Sequence, residues 1–196
     1  EMIRSYLAGT SIDHKEDDDE PWLVSCHGDS WVNNMLFRYD DPADKTCPTE
    51  MIFVDLQLYR EGCPTTDLAY MFYTSTTYET RKEHLGSLLK LYHDHFLNYC
   101  NVLGVKPLKN FTMQSLLARF NRAKIFGFIA ATMILPIILS SDCNKDLDTL
   151  ESKDNGGDDA DLSQLLKSLT ANTGTNPVLA QRFAEIISEM VESNVF

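Results

Sequence analysis

Nine consecutive residues, Cys26-His27-Gly28-Asp29-Ser30-Trp31-Val32-Asn33-Asn34, gather a carboxylate, an imidazole and two amides into one stretch. Phe53-Val54-Asp55-Leu56-Gln57 adds a second carboxylate downstream. Phosphoryl transfer needs a carboxylate facing the attacking hydroxyl and oxygen ligands for magnesium on the nucleotide phosphates. Asp29 and Asn34 lie five residues apart across a loop, and Asp55 ends a strand that can turn back beside them. Three oxygen-bearing side chains can therefore converge on one pocket. Loops rich in Asp and Asn more commonly form turns and caps, so it is the order and spacing that give this set its weight.

Short apolar runs flank the loop. Trp22 to Cys26, Met35 to Tyr39 and Met51 to Leu56 read as strands, the last two as a hairpin turned by Asp40-Asp41-Pro42 and the turn formers after it. From Asp67 onward the periodicity is helical. Leu85, Leu88, Leu89, Tyr92, Phe96, Tyr99 and Leu103 share one face of a helix that Gly104 and Pro107 close. Thr112 caps a second helix that runs through Leu116 and Phe120, with a bend at Gly127, into the apolar run Ile125 to Leu139. That run is apolar all round and belongs inside. A short helix from Asp161 to Leu169 precedes a last one from Pro177 to about Ser193, with Asn176 as N-cap. Its apolar face is Leu179, Phe183, Ile186, Ile187 and Met190. Glu1 to Leu7 reads as a helix tail, Asp13 to Glu20 as an acidic loop, and Ser140 to Asp161 as an acidic surface loop.

The chain's 196 residues suffice for one domain or one lobe of something larger. Lys and Arg total 17 against 29 Asp and Glu, a net charge of −12 that argues against nucleic acid and anionic membrane surfaces as partners. The longest apolar run is shorter than the roughly 20 residues a membrane span needs. It also carries Pro136. A globular, cytoplasmic protein is expected, since no signal-peptide pattern opens the chain and five scattered cysteines without a CxxC pair fit reduced thiols. The start at Glu1 is read as a sign that something upstream is absent. Asn110-Phe111-Thr112 matches a glycosylation sequon but reads as a loop before a capped helix. His93 and His95, two apart on a helix, point to different faces and make no metal pair.

His27-Gly28-Asp29 with Asn34 resembles the HGDxxxxN catalytic loop of the aminoglycoside and choline kinases, which parallels the HRDxxxxN loop of protein kinases. Asp55 stands where that superfamily has its second metal-binding Asp, and Gly62-Cys63-Pro64-Thr65-Thr66-Asp67-Leu68-Ala69 resembles its GxPxxDLA segment. Trp31, Asn33-Asn34 and Gln57 make the closer match, to the HGDxWxNN and DxQ signatures of the ecdysteroid-kinase-like family. The resemblance implies an α+β fold, a protein-kinase-like C-terminal lobe, mainly α-helical with short strands around the catalytic loop. It divides one lobe, 1–196, into a catalytic loop and metal-binding hairpin (1–66) and a helical substrate subdomain (67–196) with an acidic loop at 140–160.

By the same resemblance Asp29 is the base that accepts the proton of a substrate hydroxyl, and His27 braces the loop. Asn34 and Asp55 hold Mg2+ on the phosphates of ATP. Asp67 is structural support, a polar helix start beneath the loop. The substrate implied is a small molecule with a hydroxyl group, an ecdysteroid by the family's name. A cationic acceptor suits an acidic pocket and a steroid an apolar one, and the net charge does not decide between them.

The upstream lobe of such kinases carries a Gly-rich turn and a strand Lys. The 26 residues before His27 contain no GxGxxG, no GxxxxGK[ST] and no VAIK-like strand. The N-terminal lobe is therefore expected to be absent, the chain alone to transfer no phosphate at a useful rate, and an exposed inter-lobe surface to promote self-association. Two readings stay open. One is an ATP-dependent small-molecule kinase present as its catalytic lobe, favoured by the intact set Asp29, Asn34 and Asp55. The other is a non-catalytic truncated paralogue that binds an apolar small molecule or a protein partner through its helices, favoured by the missing lobe.

Overall fold

Two short antiparallel ribbons and four long helices make up the described part of the chain. The computed structural model describes residues 21–41, 43–139 and 176–195. The expected helix tail Glu1 to Leu7, the acidic loops at 13–20 and 140–160 and the helix Asp161 to Leu169 lie outside the described residues. The architecture is α+β, with small antiparallel sheets and helices that hold the core, and is compatible with a partial kinase-like fold.

The expected hairpin forms, but its second strand ends at Phe53 rather than Leu56, so Asp55 lies two residues beyond it with a left-handed backbone. Strand β2 (Met35–Arg38) pairs with β3 (Glu50–Phe53), Met35 opposite Phe53 and Arg38 opposite Glu50, where an ion pair at 2.8 Å closes the ladder. Strand β1 (Val24–Cys26) pairs instead with β4 (Arg60–Gly62), a strand the sequence does not announce. Arg-Glu-Gly has no apolar alternation. The first strand is also shorter than the run from Trp22. Trp22 leaves the ladder, is buried, donates its Nε1–H to the Lys109 carbonyl at 2.9 Å and packs under the Arg119 guanidinium. Leu36, Phe37, Met51, Ile52 and Phe53 of the hairpin are all exposed.

Helix α1 (Pro64–Ser75) starts three residues before Asp67, with Pro64 at its first position, so Asp67 sits inside the first turn. There its charge suits the helix dipole. Helix α2 (Tyr78–Val102) is capped by Thr77, whose side chain accepts from Thr80 N–H. It ends as Gly104 predicts. Gly104 has φ +66°, and the Val105 and Gly104 N–H groups bond back to Cys100 and Asn101 carbonyls.

Thr112 caps helix α3 (Met113–Leu139), accepting from Ser115 N–H at 3.1 Å. Gly127, where the sequence suggests a bend, has a packing role. The helix continues through Gly127, where a Cβ would stand 2.5 Å from the Tyr73 ring and 2.8 Å from the Ala69 carbonyl oxygen. Glycine lets α3 lie close against α1. Helix α4 (Pro177–Glu192) has Asn176 as its cap, which accepts from Val178 and Leu179 N–H and donates to the Leu139 carbonyl. Leu179, Ile186 and Met190 are buried. Ile187, expected on that face, is exposed, because the buried stripe follows Leu179, Ile186 and Met190 to one side of it.

All four helices contribute to one core that includes Phe72, Tyr73, Leu89, Phe120, Leu135 and Ile186. A buried polar network ties the last helix to the first two. Glu189 accepts from Tyr73 OH at 2.7 Å through one oxygen and from Arg81 Nε at 2.8 Å through the other. Arg81 also lies over the Tyr73 ring and donates to the Thr76 carbonyl. Among the described residues no helix is long and apolar enough to cross a membrane.

Candidate active site around Asp29

One helix holds the whole loop. His27 N–H donates to Asp67 Oδ2 at 2.6 Å and Gly28 N–H to Asp67 Oδ1 at 3.2 Å, so a single carboxylate fixes two successive backbone groups. Ser30 Oγ donates to the Asp67 carbonyl, and Val32 N–H to Ser75 Oγ at the far end of α1. Burial is the main influence on Asp67 and raises its pKa, against the His27 and Gly28 N–H donors and the charge of Arg60, which lower it. Gly28 is required by geometry. Its φ is +86°, and any Cβ there would collide with the Leu58 carbonyl.

His27 links the loop to the hairpin. Its Nδ1 accepts from Asp29 N–H at 3.3 Å, which leaves the ring proton on Nε2, facing the Val54 carbonyl at 2.9 Å. The ring also packs against Phe53. Val54 N–H in turn donates to the Asn34 carbonyl, so the residue before Asp55 is held from both sides.

The Asp29 carboxylate is bonded through both oxygens. Asn34 Nδ2 donates to Oδ2 at 2.8 Å and to the Asp29 carbonyl at 2.9 Å. Tyr70 OH donates to Oδ1 at 2.6 Å. Of the four site residues expected from the sequence, Asn34 and His27 each bond Asp29 directly, and Asp55 follows Val54, which is bonded to both His27 and Asn34. Asp55 is exposed, has φ +63°, and accepts from Gln57 N–H at 3.4 Å.

Asn34 turns its amide nitrogen toward Asp29, so its carbonyl oxygen is the end available to a cation. That oxygen and the Asp55 carboxylate are of the donor type that a hard ion such as Mg2+ would take. One amide and one carboxylate would be few ligands, and no cluster of three or more His, Cys, Asp and Glu able to hold a metal is found among the described residues. Magnesium on such a site would draw its remaining ligands from water and phosphate oxygens.

Sequence reasoning missed Tyr70. A signal was present, since Tyr70 follows Asp67 by three residues on α1 and so lies on the same helix face as the carboxylate that holds the loop. Trp31 packs with Tyr70, Phe126, Ala130 and Ile134. Its indole Nε1 is buried without a hydrogen-bond partner among the described residues. His93 stacks on Phe111. A separate cavity of about 370 Å³, lined by Arg122, Ile125, Ser193 and Asn194 among others, shares no residue with this loop.

An α+β fold with an HGDxxxxN loop braced by the first helix after it is that of a kinase-like protein. The model of the ecdysteroid kinase-like family matches residues 2–105, more than half the sequence, and the chain belongs to that family. The match takes in the loop, the hairpin, α1 and α2. No curated protein and no solved structure matches the chain.

Proposed function

We propose that the chain is the C-terminal lobe of an ATP-dependent phosphotransferase acting on a hydroxyl group of a small molecule, with a steroid-like acceptor as the family's name implies. One observation carries this reading: the Asp29 carboxylate is held at both oxygens, by Asn34 and Tyr70, in a loop whose Asn34 backbone carbonyl accepts from Val54 N–H, the residue before Asp55. Asp29 receives the proton of the attacking hydroxyl. Asn34 and Asp55 hold magnesium, which when bound neutralises charge on the ATP phosphates. His27 ties base and hairpin together, and Asp67 keeps the loop backbone fixed. The exposed apolar residues of the hairpin, Leu36, Met51 and Ile52 among them, support an inter-lobe face, through which the isolated chain self-associates.

The test uses the native-length polypeptide from its source, its mass first read with an antibody against α4. Phosphate transfer from labelled ATP to a panel of hydroxylated steroids, choline and aminoglycosides is then measured with wild type and Asp29→Asn. The expected result is transfer lost in the variant while the acceptor still binds. Acceptor binding with no Asp29-dependent transfer, by a polypeptide near 22.3 kDa, would establish the non-catalytic reading instead.

A further inference from the structure

The geometry points to Tyr70 as the positioning residue of the Asp29 base. This inference rests on the phosphotransferase reading. A general base works only when its lone pair faces the proton it takes, and a carboxylate on a loop is free to turn about its last side-chain bond. Asn34 alone pins one oxygen. It also bonds the Asp29 backbone carbonyl with the same nitrogen, so its hold on the carboxylate is shared.

Tyr70 supplies the second point. Its hydroxyl donates to Oδ1 at 2.6 Å, the short distance of an O–H bonded to an anion. With one donor on each oxygen the carboxylate plane is fixed, and about half of its roughly four acceptor sites stay open for the substrate hydroxyl. The phenol is itself immobile. It is 7% exposed, packed with Phe126 and Ala130 and flanked by Trp31 and Ile134. It rides on the helix whose Asp67 holds His27 and Gly28, so base and loop backbone share one rigid support. Tyr70 touches no reacting atom and acts only through Asp29.

Kinetics of the native-length protein with Tyr70→Phe test this, since the ring and its packing remain and only the hydroxyl goes. The expected result is a kcat lowered about tenfold, part of the roughly 10²–10⁴-fold that a positioned base supplies, with KM for ATP within about twofold and an unchanged melting midpoint. An unchanged kcat overturns the positioning role. Loss of ATP affinity in parallel with kcat overturns it too, as that marks a general loosening of the site. Absence of Asp29-dependent transfer in wild type overturns the phosphotransferase reading and the positioning role with it.

If Tyr70→Phe does not fold, 3-fluorotyrosine at position 70 keeps the hydroxyl. Its ¹⁹F resonance is expected to move when Asp29→Asn is introduced, and its kcat to stay near wild type. A resonance indifferent to Asp29, or a kcat near wild type without the contact, overturns the inference.

Discussion

Asp67 receives the backbone N–H of His27 on one oxygen at 2.6 Å and that of Gly28 on the other at 3.2 Å, across about 40 residues of chain. An amide offers one acceptor oxygen where a carboxylate offers two, so Asp67→Asn turns an NH2 toward one of these donors. The variant is expected to lose about 1–3 kcal/mol of stability. The pH dependence adds a sign. Burial raises the Asp67 pKa above its ordinary 3.8, so between that value and the raised one the folded chain binds more protons than the unfolded chain. Stability from this group therefore falls as pH rises through the window. Wild type should gain on Asp67→Asn as pH is lowered from about 7 to about 4, read as the gap between their melting midpoints. A gap that stays constant or narrows would contradict the burial argument.

Gly28 combines a left-handed backbone with a carbonyl, that of Leu58, standing where a Cβ would go. In Gly28→Ala the strain of φ +86° and the overlap with Leu58 act together, for an expected loss of about 2–4 kcal/mol in urea unfolding. Gly104 is the control, since it shares a positive φ but has nothing within 4 Å of an added Cβ. Gly104→Ala should cost only about 1–2 kcal/mol.

The loop and the hairpin were legible in the sequence because their signals are local. His27, Gly28, Asp29 and Asn34 announce themselves by type and spacing, Thr112 and Asn176 cap the helices assigned to them, and Gly104 ends α2 by a Schellman turn. What stayed hidden was non-local or without side-chain pattern. Strand β4 is Arg-Glu-Gly, which has no apolar alternation to announce it. Tyr70 meets Asp29 from 41 residues away, and Arg81 meets Glu189 from 108. Gly127 reads in sequence only as a residue that weakens a helix, whereas its missing Cβ is needed for the approach of α1.

Glu189 joins α4 to the buried Arg81 and Tyr73. Arg81 is almost fully buried, and in Glu189→Ala its guanidinium loses the charge that compensates it. The expected cost is about 3–5 kcal/mol. Because the pair is shielded from solvent, that cost should change little with salt. Glu189→Gln, which keeps an acceptor for either Tyr73 or Arg81, should fall between wild type and Glu189→Ala in denaturant midpoint.

Asp55 holds a left-handed conformation while exposed and bonded only weakly through its side chain to Gln57. For a side chain that conformation costs stability, which glycine escapes and aspartate reduces in part. If folding alone governed position 55, glycine would serve it well. Asp55→Gly is therefore expected to match wild type or exceed it by about 0.5–1 kcal/mol in unfolding free energy. Phosphate transfer by the native-length protein should meanwhile fall by about 10²-fold or more, as when one electrostatic group is removed from a transition-state site. Asp55→Asn keeps an oxygen and tolerates the same backbone, so its stability should stay near wild type and its activity should lie between the two. Destabilisation by glycine would mean that the Asp55 side chain serves the fold, and the magnesium role assigned to it would lose its physical ground.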